Sequence, residues 1–396
     1  MTNNKITLGY DDISIVPEQL SRIRHRNECD CYTDTASLPI FVAPMDNVID
    51  EHSANIFIDE AVNVVYPRTI PLEKRIKMLG DMYYQPWKFI AFSLTEVQNI
   101  FIDEESENIN CEYNFIYRLR EMAINSFYSK ESNAYAYRIC IDVANGHMKE
   151  LIDTIKTIKR KYGDRIIIMS GNIANPETYR YYEHAGCDFV RCSIGSGSRC
   201  TTSSNTAIHY GCFSLLKEIW TIKQKIQGKC KIIADGGIKG YGDIQKALLY
   251  ADYVMIGSLF NKAIDSAGIP RYGCSYWNIF GKRVINPFKT LFTYGKAIKH
   301  KYYEKVLKEA REGKLDIWKE YYGMSTKIAQ LKINPGGRLK TSEGKVEHQK
   351  VEYTIKQWVE NEIDYLRSAM SYTNSRTLED YKNSQWVQLT HKSYNK

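Results

Sequence analysis

Eight short apolar runs rich in β-branched residues recur along the chain, and each is followed by small or polar residues and a segment that reads as a helix. They cover residues 38–42, 62–66, 89–92, 137–141, 166–169, 188–191, 231–234 and 253–256. Strands covered by helices on both faces read as continuous apolar runs rather than alternating ones. Between them, residues 151–161 follow a helical period, and Asn175 before Pro176 reads as the N-cap of a helix over 176–183. Eight strands alternating with helices predict an α/β fold of the TIM (β/α)8 class, a closed barrel. The residues just after the strands then share one rim, where sites are built. An open doubly wound sheet is the alternative, but no Gly-x-Gly-x-x-Gly follows the first run.

Residues 1–396 read as a single barrel domain, with an inserted segment at about 271–320 and a flap and C-terminal part at about 321–396. Residues 96–134 read as a long polar, aromatic-rich connection, 300–319 as a charged helix, and 351–370 as an amphipathic helix closing the barrel wall or floor. The net charge of +8 is mild for this length and fits an anionic small molecule at least as well as nucleic acid; no nucleic-acid partner is expected. No stretch approaches the ~20 apolar residues of a membrane span, so no membrane partner is expected. The polar start, Met1-Thr2-Asn3-Asn4-Lys5, does not read as a signal peptide. Ten scattered cysteines without metal-ligand spacing suit a reducing, cytoplasmic setting.

The glycine-rich turns carry the first chemical signal. Asp235-Gly236-Gly237 follows the seventh run and Gly257-Ser258 the eighth, where barrels commonly bind phosphate on bare backbone N–H groups. One such turn is ordinary; two in these places point to a phosphate, with Ser198 as a further contact. Asp235 repels phosphate, and its carboxylate suits two ribose hydroxyls. Cys200 lies in the loop Gly195-Ser196-Gly197-Ser198-Arg199-Cys200-Thr201-Thr202. A lone loop cysteine is more often inert, but a thiol beside an N–H-rich rim is placed to attack carbon as thiolate. Cys140, Cys187, Cys192 and Cys230 sit in or beside the apolar runs and read as core fillers.

Together these runs resemble the IMP dehydrogenase/GMP reductase family. Asp11-Asp12-Ile13, Ala43-Pro44-Met45-Asp46, Gly195 to Thr202, Ala234-Asp235-Gly236-Gly237, Met255-Ile256-Gly257-Ser258 and Tyr322-Gly323-Met324-Ser325 occur in the family's order. Asp142-Val143-Ala144-Asn145-Gly146, Cys200-Thr201-Thr202 and Ser342-Glu343-Gly344-Lys345 are similar to the reductase forms. The Arg-Tyr pair with which dehydrogenases activate water is absent from the flap.

The resemblance implies NADPH-dependent reductive deamination of GMP to IMP and ammonia through a covalent Cys200 thioimidate. Thr202 and Glu343 would handle protons. Asp142, Asn145 and Gly146 would lie by the nicotinamide, and Lys340, Ser342 and Lys345 would face the cofactor. Tyr321 would contact phosphate, and the Gly323-Met324-Ser325 turn the purine edge. The resemblance further implies a monovalent-cation (K+) site on the backbone of Gly195, Gly197 and Cys200, and a homotetramer. His209-Tyr210-Gly211-Cys212, Asp265, Arg199 and the segment 271–320 depart from the family pattern. They leave a deoxy- or modified purine nucleotide open as substrate. An IMP dehydrogenase and a catalytically silent nucleotide-binding barrel are the rival readings.

Overall fold

A computed structural model describes residues 6–81, 86–102, 136–197, 200–279, 282–334, 336, 341 and 344–390. All eight apolar runs become strands of one closed parallel barrel: β1 (Ile40–Val42), β2 (Asn63–Tyr66), β3 (Lys88–Phe92), β4 (Tyr137–Asp142), β5 (Ile166–Ile173), β6 (Phe189–Cys192), β7 (Lys231–Asp235) and β8 (Tyr253–Ile256). Closure comes from β8 pairing with β1, Phe41 opposite Met255. Inward positions fill the barrel with Phe41, Val65, Phe89, Cys140, Met169, Ile233, Tyr253 and Met255. Phe41, Phe89 and Phe189 meet edge to face at 5.5–5.9 Å between centroids. Outward positions such as Ile40, Val42, Ile139 and Ile141 pack beneath the helices. Both faces are therefore buried, which is why the strands show no alternation in sequence.

The wall helices are α1 (Glu51–Asp59), α2 (Leu72–Asp81), α3 (Leu94–Phe101), α4 (Lys149–Tyr162), α5 (Thr178–Ala185), α6 (Cys212–Ile226) and α7 (Tyr241–Ala247). Their starts are chemically marked. Asp50 accepts the Ser53 N–H at 2.8 Å, and Ser93 and Glu96 cap α3 reciprocally. The predicted helix over 176–183 begins two residues late, because the Asn175 side chain closes a turn on the Glu177 N–H. Most of the predicted connection over 96–134 lies outside the described residues.

The eighth wall position is filled from far along the chain. Helix α8 (Ile355–Tyr372) packs against both α1 and α7, burying Ile355, Trp358, Val359, Leu366 and Met370. Thr354 and Gln357 cap it, and Asp265 accepts the Ile355 N–H at 2.8 Å. The amphipathic helix expected over 351–370 thus builds wall rather than floor.

Between β8 and α8 the chain forms a separate antiparallel sheet. Its strands are β9 (Arg271–Ile279), β10 (Lys282–Ile285), β11 (Leu315–Tyr322) and β12 (Val346–Lys350), in the order β10-β9-β11-β12. The predicted charged helix over 300–319 is corrected here. Helix ends at Arg311, and Leu315, Ile317, Lys319 and Tyr321 alternate inward along β11. That two-residue period dictates a strand once a partner sheet exists. Val306 and Leu307 of the Tyr303–Arg311 helix cover Leu315 and Ile317. Lys319 is fully buried, its ammonium donating to Ala263 O, Ser266 O and Ser266 Oγ at 2.6–3.0 Å. It ties the sheet to the turn after β8.

Burial pushes the Lys319 amine down to about 7. The unfolded chain then binds more protons between about pH 7 and the ordinary lysine range near 10.5, so stability rises with pH across that window. Urea titrations at a series of pH values are expected to show this rise in the native protein and to lose it in Lys319→Met. At the other end, Ile13–Ile15 pairs with Trp386–Gln388, and Lys382 joins Lys223 on the buried carboxylate of Asp252 at 2.6 and 2.7 Å. The two ammonium groups overcome burial and hold Asp252 at about 2. Its stabilisation is complete above the ordinary aspartate range and is lost as pH falls toward 2. Asp252→Asn takes the carboxylate from Lys223 and Lys382, leaving Lys382 only its longer contact with Glu379 at 3.6 Å, and is expected to cost roughly 3–5 kcal/mol in urea unfolding at neutral pH.

Candidate active site

The barrel mouth is built on a row of inward positions one layer above the aromatic filling. Asp142 of β4 lies in register with Gly171 of β5, and Gly171 with Arg191 of β6. Gly171 carries no side chain, and a Cβ there would stand 2.4 Å from Arg191 O. The gap lets Arg191 cross to Asp142, donating from Nη1 to Oδ1 at 2.7 Å. Its Nε and Nη2 reach Asp235 Oδ2 on β7 at 2.9 and 2.8 Å. Asn172 adds a third donor to that oxygen at 2.6 Å. Burial by itself depresses Arg191, but Asp235, Cys140 and Asp142 outweigh it and hold the guanidinium firmly charged. Cys140 lies beneath, its thiol pushed up to about 12 by burial, as suits a core filler.

Three glycine-bearing loops converge on this row. Gly236 and Gly237 after β7 have positive φ, and a Cβ on Gly236 would lie 3.2 Å from the Gly197 backbone N of the β6 loop. Gly237 rests on the Cys212 Sγ and the Tyr10 ring, with Tyr10 supplied by the segment before Asp11-Asp12-Ile13. Gly257 after β8 lies beneath the Tyr321 hydroxyl, 2.9 Å from where a Cβ would stand. Tyr321 arrives from β11, so the separate sheet delivers it to the glycine turn. Ser258 opens the short helix beyond.

Cys200 is half-buried, and its thiol donates to Thr202 Oγ1 at 3.2 Å. Its backbone pairs with Gly344 in an antiparallel bridge. The same strand path continues into β12, which pairs with β11 through Tyr322 opposite Val346. Two distant motifs are thereby carried to the thiol loop. The Gly323-Met324-Ser325 turn follows β11 directly and is pinned from the β1 loop by Asn47 on Tyr322 O at 2.8 Å and by the Tyr322 hydroxyl on Asp46 at 3.0 Å. Lys345 is exposed at the start of β12. Ser198, Arg199, Lys340, Ser342 and Glu343 lie outside the described residues.

Asn145 is exposed at the β4 loop, where its side chain accepts the His147 N–H. Gly146 is buried, with its N–H on Asn172 O at 2.9 Å and a Cβ excluded by the Asn172 backbone, so its place in the loop is one of packing. The Gly195 and Gly197 carbonyls each accept a hydrogen bond within the loop, from Ser203 Oγ and Cys200 N. Among the described residues no group of three or more His, Cys, Asp or Glu could hold a metal ion.

Sequence reasoning missed Arg191, Asn172, Arg68 and Cys212. An arginine at inward parity in an apolar strand was the available signal, since such a charge needs buried partners. Arg68, after β2, donates to Asp142 O at 3.3 Å, and its buried Nε–H has no acceptor among the described residues. Cys212 donates to Ser196 Oγ at 3.0 Å beneath the thiol loop.

The fold and this rim define a (β/α)8 barrel with a thiol loop set beside two glycine turns. A sequence profile of the IMP dehydrogenase / GMP reductase domain matches residues 129–313. The GMP reductase of Bacillus subtilis (strain 168) is 32% identical over 279 residues, covering 69% of this chain and 77% of the relative. Those of Shouchella clausii (strain KSM-K16) and Clostridium acetobutylicum are also 32% identical over 279 residues, covering 69% of this chain and 76% of each relative. The chain belongs to the IMP dehydrogenase/GMP reductase family.

Removing Arg191 leaves Asp142 and Asp235 facing one another without their cation. Arg191→Met is expected to destabilise the fold by roughly 3–5 kcal/mol in urea unfolding, with Arg191→Lys intermediate because an ammonium lacks the fork that reaches both carboxylates.

Proposed function

We propose that this chain is a GMP reductase that converts GMP to IMP and ammonia with NADPH, through a thioimidate on Cys200. The observation that carries the reading is the Cys200–Thr202 hydrogen bond on a loop packed against Gly236 and bridged to Gly344. The reductase forms of the sequence motifs, and relatives named GMP reductase, support the same choice.

The glycine turns at Gly236, Gly237 and Gly257, with Ser198, Ser258 and Tyr321, take the nucleotide phosphate on N–H and O–H donors. The three donors on Asp235 all meet Oδ2, so Oδ1 is left to accept from ribose hydroxyls. The backbone of Gly323, Met324 and Ser325 holds the purine edge. The Cys200 thiolate adds to C2, and the C2–N bond breaks as the exocyclic amine departs as ammonia. In the resting state the thiol donates to Thr202; once the thiol proton is gone, the hydroxyl turns and donates instead. Thr202 and Glu343 pass protons to the leaving amine.

The rim fits a carboxamide-bearing cofactor. The buried Arg68 Nε–H suits a carboxamide oxygen, and Asp142 and Asn145 offer acceptors for its amino group. Lys345, with Lys340 and Ser342, would hold the ribose 2′-phosphate. When bound, NADPH supplies the hydride that reduces C2; the C2–S bond then breaks and returns Cys200.

Incubation with GMP and NADPH is expected to consume NADPH and release equimolar ammonia, with loss of at least ~10³-fold in Cys200→Ala and about 10²-fold in Thr202→Val. Formation of NADH from IMP and NAD instead would overturn the assignment. A panel of 2-aminopurine ribo- and deoxynucleotides tests the sugar, and an Asp235→Asn variant is expected to lose the ribose preference.

A further inference from the structure

The chain's charge is concentrated in one place. Residues 271–314 hold 11 Lys and Arg against 3 Asp and Glu, a net +8 that equals the charge of the whole chain. The rest of the molecule is therefore neutral in balance. The same segment also exposes apolar side chains. Phe288, Leu291 and Phe292 of the Pro287–Thr293 helix are 70%, 79% and 67% exposed, and that helix buries none of its residues. Trp277 and Val284 are directly opposed on β9 and β10, and Ile279 and Ile285 are exposed on the same hairpin. Thr290 packs the helix onto Ser275 of β9, so helix and hairpin form one body.

This apolar patch lies at the far end of the sheet. Leu315, the first residue of β11, pairs with Ser275, and residues 276–279 run on beyond it. Tyr321 and Tyr322 stand at the other end, against the barrel mouth. The patch therefore faces away from the site.

We propose that this appendage docks the protein onto an anionic lipid surface. Two features select that occupant. Exposed Phe, Leu, Ile, Val and Trp share one segment with exposed Lys282, Lys289, Lys296, Lys299 and Lys301, Lys289 sharing its charge with Glu309 at 3.2 Å, and so combine hydrocarbon for the acyl boundary with cations for acidic headgroups. A second copy would bring a second +8 to the contact, which opposes pairing. A single-stranded nucleic acid would use the aromatic faces and the lysines, but Leu291, Ile279, Val284 and Ile285 offer nothing to a base stack. The expectation of no membrane partner rested on the lack of a span, and no described helix is long and apolar enough to cross a membrane. A surface docking site needs none.

The test is co-sedimentation of the full chain with vesicles of equal parts phosphatidylcholine and phosphatidylglycerol, and with phosphatidylcholine alone. Binding to the acidic vesicles only, weakening with added salt, is expected. Phe288→Ser with Leu291→Ser and Phe292→Ser, and separately Lys296→Glu with Lys299→Glu and Lys301→Glu, are each expected to weaken binding roughly tenfold or more. All six side chains are on the surface, and unchanged thermal unfolding midpoints verify that both variants fold. Failure to bind acidic vesicles, or equal binding by either variant, overturns the proposal. So does concentration-dependent dimerisation abolished by the triple apolar variant, or displacement of the protein from vesicles by an oligonucleotide that the apolar variant still binds.

Discussion

Everything at the barrel mouth is organised by the buried guanidinium of Arg191. It stands where three inward positions meet, and it has to reach two carboxylates to be tolerated there. Gly171, with no side chain, leaves the way open between it and Asp142, while β7 brings Asp235 to its other side. With Asp235 held through Oδ2, the glycine turn behind it takes its place over the thiol loop, and Gly236 meets Gly197. One buried charge thus couples the fourth, sixth and seventh strands and sets the orientation of the loops above them.

The second organising element is the antiparallel sheet between β8 and the last wall helix. It turns a long excursion into a delivery route: β11 carries Tyr321 over Gly257 and sets the Gly323-Met324-Ser325 turn, and β12 leads back to the Cys200 bridge. Buried Lys319 holds this sheet to the barrel through three oxygens. The sheet's opposite end carries the surface-exposed, positively charged hairpin, apart from the glycine turns and thiol loop at the mouth.

Legibility in the sequence followed the range of the interaction. The barrel strands were readable because continuous β-branched runs have few other solutions, and the glycine turns because positive φ and close approach leave a residue-type mark. Cys200, Thr202 and Tyr321 were singled out through motif company, and the fold sets Cys200 on Thr202 and Tyr321 over Gly257. Arg191 stood inside an apolar run, where its charge was a signal but its partners, Asp142 and Asp235, were set only by strand register. The β11 segment looked helical because its charges, Asp316, Lys319 and Glu320, masked a two-residue period that only a partner strand reveals.

By itself the sequence determined the eight strands, the order of the helices, the glycine turns and the thiol loop, because each is written in local composition or backbone freedom. Only the tertiary structure decided that Arg191 bridges Asp142 and Asp235, that α8 closes the wall from more than ninety residues after β8, and that Cys200 pairs with Gly344. Those contacts join residues far apart in the chain, and their energies depend on register and burial that no local pattern encodes.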